Sequence, residues 1–197
     1  PYKLQNSLEI KLYEMKSEHF LFNILLLIFI ISCAQQQENQ IGIAITEGNV
    51  NMKLTSPAFQ NNGAIPSEFT CDGSDMSPPL SISDAPSNAK SLVLVMDDPD
   101  APVGTWDHWV VFNIPPSTKS IPKGAEPQGT ADKNSWGRTG YGGPCPPSGT
   151  HRYFFKLYAL DTMLNLPQGS TKKDLERAMQ GRIVAQAQLM GTYKRSR

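Results

Sequence analysis

Gly140-Tyr141-Gly142-Gly143-Pro144-Cys145-Pro146-Pro147-Ser148-Gly149-Thr150-His151-Arg152-Tyr153 is the stretch from which this chain is best read. Glycines let backbone come close to a neighbour or a ligand, and prolines stiffen what lies between them. The loop runs into His151-Arg152-Tyr153, which opens the apolar run Phe154-Phe155-Lys156-Leu157-Tyr158-Ala159-Leu160. In an extended chain His151 and Tyr153 lie on one face, and Arg152 points out of it. A rigid loop ending on two aligned polar side chains suits a small polar pocket at the end of a β-strand.

A second stretch supplies the facing groups. Ser91-Leu92-Val93-Leu94-Val95-Met96 is near-continuously apolar and reads as a buried strand. It ends in Asp97-Asp98-Pro99-Asp100-Ala101-Pro102, and Trp106-Asp107-His108-Trp109-Val110-Val111-Phe112-Asn113 begins the next strand. His108 and His151, the two histidines beyond the apolar N-terminal run, both stand where a loop meets a strand. Asp-Pro-Asp is a good turn former, and a carboxylate at that place can also hold a histidine tautomer. Both roles are expected, divided between Asp98 and Asp100. Trp106 beside His108 points to a partly buried site. Asp107 is expected to face away from His108, and Arg152 to be structural.

These pieces resemble the phosphatidylethanolamine-binding protein family, also called Raf kinase inhibitor-like. The matching motifs are DPDAP at residues 98–102, WDHWVVFN at 106–113, GYGGPCPPSGTHRY at 140–153 and CDGSDMSPPL at 71–80. The ending Leu189-Met190-Gly191-Thr192-Tyr193 fits the prokaryotic branch, and the resemblance spans about residues 52–193. It departs at Ile82, where a tryptophan belongs to the pattern and would form one wall of the pocket. The resemblance implies an anion-binding pocket made by Asp98, His108, His151 and Tyr153, with Gly143 and Cys145 contributing through their backbone. Asp100 and Trp106 complete the candidate ligand-binding set.

The rest of the domain reads as mainly β. Short strands are expected at residues 52–55, 80–83, 91–96, 109–114, 153–160 and 182–189, with 122–136 a loop of little regular structure. One helix follows Thr171, whose pairing with Asp174 resembles a capping box, and Gly181 suits its end. The expected fold is two packed antiparallel sheets with one or two peripheral short helices.

Charge and length narrow the function. Acidic and basic residues balance at 18 each, which argues against a nucleic-acid surface. The N-terminal part reads separately. Residues 1–14 are expected to be upstream sequence, with Met15 as the start. Residues 15–32 form a basic start and an apolar run too short to span a bilayer comfortably, hence a signal peptide. Ile30-Ile31-Ser32-Cys33 resembles a bacterial lipobox, which implies lipidation at Cys33 and a place in the cell envelope. Cys33 and the polar segment up to residue 50 are expected to form a tether, leaving residues 51–197 as the folded domain. Cys71 and Cys145 remain; in an oxidising compartment they either bridge or stay as buried thiols. No metal-ligand spacing stands out and no cofactor is expected.

The function expected is binding of a small anionic ligand such as a phosphorylated head group, without catalysis. A protein-interaction or inhibitor role is the alternative. A metal-dependent or serine hydrolase is weaker, because Ser148 sits in no G-x-S-x-G elbow.

Overall fold

The structure, a computed structural model, describes residues 51–195. Residues 1–14, the signal-like segment, Cys33 and the tether to residue 50 lie outside the described residues.

Among the described residues, nine strands form two sheets. The smaller has the order β1-β3-β6, from β1 (Lys53–Thr55), β3 (Leu80–Ser83) and β6 (Ser120–Ile121). The larger has the order β2-β9-β8-β4-β5-β7. Its members are β2 (Gly63–Ala64), β4 (Ser91–Asp98), β5 (Trp106–Ile114), β7 (Thr130–Ala131), β8 (Thr150–Leu160) and β9 (Ile183–Lys194). The pairings are antiparallel except β2 with β9, which is parallel, so the second sheet is mixed at one edge. A 3-10 turn spans Ser67–Phe69, and one helix, α1, spans Lys172–Met179.

The unbroken apolar run of β4 has a direct cause. Leu92, Leu94 and Met96 point between the sheets, while Val93 and Val95 point the other way, against Leu175 and Met179 of α1. A strand covered on both faces has no use for polar alternation. Strand β8 does alternate: His151, Tyr153, Phe155 and Leu157 are buried on one face, and residues between them are less so. His151 and Tyr153 are thus the polar end of a core stripe.

Helix α1 starts as its sequence suggests. Thr171 accepts from the Asp174 backbone N–H at 3.2 Å, and Asp174 accepts from the Thr171 backbone N–H at 3.1 Å. Gly181, at φ 69°, takes the left-handed turn that leads from the helix into β9.

Strand ends differ from the sequence expectation. β4, β5 and β8 run two or three residues further toward the loops, and β9 continues to Lys194. Ladder bonding carries the strands past the apolar runs, so His108 and His151 lie inside strands. The 122–136 region also contributes the edge strand β7.

Candidate functional site

Three strand ends and three loops form a cavity of about 410 Å³. Asp98, Trp106, His108, Gly143, Cys145 and His151, all named from the sequence, line it.

His108 reaches the cavity through an irregularity. Met96 pairs with Trp109 and Asp97 with Asp107, so His108 is an extra residue with no opposite number on β4. A bulge of this kind re-aims a side chain. The ring Nδ1 donates to the Gly142 carbonyl at 2.6 Å, and Gly142 N–H donates back to the His108 carbonyl at 3.0 Å. That fixes the proton on Nδ1 and leaves Nε2 for a ligand. Burial pushes the imidazole below its ordinary 6.5, outweighing the Gly142 carbonyl and the nearby carboxylates, which pull it up.

His151 is held in a similar way. Its Nδ1 donates to Asp98 Oδ2 at 2.8 Å, again leaving Nε2. The other oxygen of Asp98 accepts the Asp100 backbone N–H at 2.8 Å. Asp98 therefore performs both jobs expected of the Asp-Pro-Asp motif: it orients the histidine and closes the turn. Asp100 does not line the cavity. The Arg152 backbone N–H, Nε and guanidinium donate to it at 2.9, 2.9 and 2.6 Å. This grip holds its carboxyl down at about 2 and ties the loop after β4 to the start of β8. Asp107 likewise faces away, accepting from Lys172 at 2.7 Å.

Tyr153 differs from expectation. It is completely buried beneath the site, edge-on to His108 with centroids 5.2 Å apart. Its hydroxyl is sealed from solvent without a hydrogen bond of good geometry. Burial, and then the Asp98 charge, push the phenol well above its ordinary range. Tyr153 thus props the His108 ring from beneath and is not among the residues that line the cavity.

The glycine-rich loop is a wall more than a ring of donors. Gly143 N–H is already used by Asp75 Oδ1 at 2.7 Å. A methyl at Gly143 would stand 2.5 Å from that oxygen and 2.6 Å from the Phe69 carbonyl, so only glycine fits. Cys71 N–H donates to the Pro144 carbonyl at 3.1 Å, and Tyr141 Oη to the Phe69 carbonyl at 2.7 Å. Cys71 and Cys145 form a bridge in the structure, with Cα atoms 5.4 Å apart. Ile82 is buried in the core and takes no part in the wall.

Trp136, Arg138 and Asp75 line the cavity and were not singled out in the sequence. Asn134 builds the turn that presents the first two: its Oδ1 accepts the backbone N–H of Trp136 at 3.0 Å and of Arg138 at 3.3 Å. Trp136 stands edge-on to His108 at 5.0 Å and to Trp106 at 5.4 Å, and the Arg138 guanidinium lies over its ring at 5.7 Å. Asn134 followed by Gly137 was the available signal, since this pairing is typical of a side-chain-closed turn. Among the described residues, no three His, Cys, Asp or Glu side chains group as a metal would need.

The family model named phosphatidylethanolamine-binding protein matches residues 55–194. The chain belongs to the phosphatidylethanolamine-binding protein family. Within it, the chain is 51% identical over 150 residues to the UPF0098 protein of Methanothermobacter thermautotrophicus, covering 73% of this chain and 99% of that one. It is 49% identical over 156 residues to the UPF0098 protein of Aquifex aeolicus, covering 75% and 91%. Among solved structures, a phosphatidylethanolamine-binding protein homolog from Chlamydia trachomatis superposes with a TM-score of 0.72 at 46% identity. That match covers 74% of this chain and 98% of the other. E. coli YbcL, described as a new member of the mammalian PEBP family, gives a TM-score of 0.69 at 28% identity, covering 74% of this chain and 99% of that one. The family fold is thus mainly β with two sheets here too, and the prokaryotic relatives fit the branch read from the sequence.

Proposed function

We propose that the cavity binds a small anionic ligand of phosphate type, such as a phosphorylated head group, and that binding takes up a proton. The observation that carries this reading is the convergence of two Nδ1-anchored histidines on one cavity, with Arg138 also lining it. With neutral rings, both Nε2 atoms are acceptors. An anion oxygen meets them only if the ring is protonated or the anion itself brings a proton, as a monoprotonated phosphate does. Affinity therefore rises as pH falls into the histidine range. Asp98 holds the His151 proton on Nδ1 and so keeps Nε2 turned to the ligand. The pocket binds its ligand without turning it over.

The test is calorimetric titration with inorganic phosphate and with phosphoethanolamine. Losing one hydrogen bond to a charged group costs about 1.5–3 kcal/mol, so His151→Ala should weaken binding by roughly ten- to a hundredfold. Equal affinities in parent and variant, with both folded, would sink this reading.

The same proposal places the protein at the cell envelope through a lipid on Cys33, which would bring the pocket near phospholipid head groups. Several acyl chains anchor firmly where one does not. Cys33→Ser should move the protein from the detergent phase to the aqueous phase. Unchanged partitioning would remove the anchor.

A further inference from the structure

The Cys71–Cys145 bridge lies in an unusual place for a structural staple. Both half-cystines line the ligand cavity and both are exposed to solvent. The two segments it joins are also held together without it. Cys71 N–H bonds the Pro144 carbonyl, Gly143 N–H bonds Asp75, and Tyr141 Oη bonds the Phe69 carbonyl, at 3.1, 2.7 and 2.7 Å. Opening the S–S bond therefore leaves the wall in place and the two sulfurs side by side, at the high effective concentration that makes closure fast.

We propose that this bridge is a reversible thiolation site, and that its reactant is a low-molecular-weight thiol admitted by the cavity. The thiolate attacks one cysteine sulfur along the S–S axis. A new S–S bond forms between the small thiol and that sulfur, the Cys71–Cys145 bond breaks, and the electron pair leaves with the other cysteine as a thiolate. Attack by a second small thiolate completes the reduction, giving the oxidised small-molecule disulfide and two cysteine thiols. Attack by the freed cysteine reverses the first step. The mixed disulfide stands inside the cavity, so the adduct also occupies ligand space. This chemistry does not depend on which ligand the pocket takes.

The test uses the full oxidised chain in native buffer. It is mixed with cysteine, with glutathione, or with a thiol-terminated polyethylene glycol too wide for the cavity, then quenched with an alkylating agent and weighed by mass spectrometry. The expected product is one small-thiol adduct and one alkylated cysteine at positions 71 and 145, with an unchanged circular dichroism spectrum. Per thiolate, cysteine and glutathione should react roughly tenfold or more faster than the polymer thiol, because access sets the rate. Any of three results overturns the proposal: no adduct until denaturant is added, loss of the native spectrum on reaction, or equal rates for small and polymeric thiols.

Discussion

His108 is one residue on which folding and binding pull in opposite directions. The fold holds it neutral, since burial lowers its proton affinity below the ordinary 6.5. The unfolded chain therefore takes up the proton first as pH falls. This part of the stability is complete above the ordinary histidine range and is lost as pH drops through 6.5 toward the lower folded value. Denaturation midpoints measured between about pH 8 and about pH 5.5 should fall more steeply for the parent than for His108→Gln, and phosphate should restore part of the parent's loss. Parallel pH profiles would show that His108 is not the group responsible. Asp98 and Asp100 show the limit of reading roles from a motif. Two carboxylates one proline apart look equivalent in sequence. The turn itself makes them differ, because closing on Asp98 Oδ1 points Asp100 outward to Arg152.

At the scale of elements, the strand ends carry Asp98, His108 and His151, and the loops wall them in. Gly143→Ala should disrupt the wall, since the added methyl meets the Phe69 backbone and Asp75 at 2.6 and 2.5 Å. Overpacking of this kind costs about 1–3 kcal/mol, and phosphate affinity should fall with it. A variant with parental melting temperature and affinity would contradict the close approach. Removing the helix cap is a useful contrast. Thr171→Ala takes away the half of the capping box made by the Thr171 hydroxyl, leaving the backbone N–H to Asp174, and should cost about 1 kcal/mol by urea denaturation. Binding by the folded fraction should be untouched, because α1 packs on the sheet face away from the cavity. A loss of affinity would mean that the two faces are coupled.

At the scale of the folded domain, the described residues make three layers: small sheet, large sheet and helix. Asp97 and Asp98 are adjacent in β4 and serve opposite faces. Asp98 serves the cavity, while Asp97, 1% exposed, accepts from Lys156 at 2.7 Å and Lys172 at 3.0 Å on the helix side. Lys172 also reaches Asp107 at 2.7 Å. Burial opposes the charge of Lys172, but Asp107 and Asp97 outweigh it and raise its proton affinity above the ordinary value. Lys172→Met leaves Asp97 with Lys156 alone and takes from Asp107 the lysine it pairs with. Breaking a buried pair from one side costs about 3 kcal/mol, which chemical denaturation would read directly. A change below about 0.5 kcal/mol would place this cluster with ordinary surface pairs. The bridge acts at the same scale. It spans a sequence separation of 74 residues, and a loop of that length should contribute about 4 kcal/mol against unfolding in the chain-entropy account. Thiol titration of unreduced, denatured protein should find Cys71 and Cys145 unreactive.

By itself, the sequence determined the strand core and the polar centre of the cavity. The apolar run at residues 91–96, the alternation after His151 and the capping signal at Thr171 are local patterns, and local patterns follow from backbone period and burial. Asp98, His108 and His151 were legible because each stands at a join between loop and strand. Only the tertiary structure decided what these groups can do. The bulge that aims His108, the Gly142 carbonyl that fixes its proton and the depth that seals Tyr153 all depend on register between strands far apart in sequence. The use of Gly143 N–H by Asp75, and the arrival of Trp136 and Arg138 at the cavity, depend on which loops meet. Such pairings are set by long-range packing, and nothing in the period of a single segment encodes them.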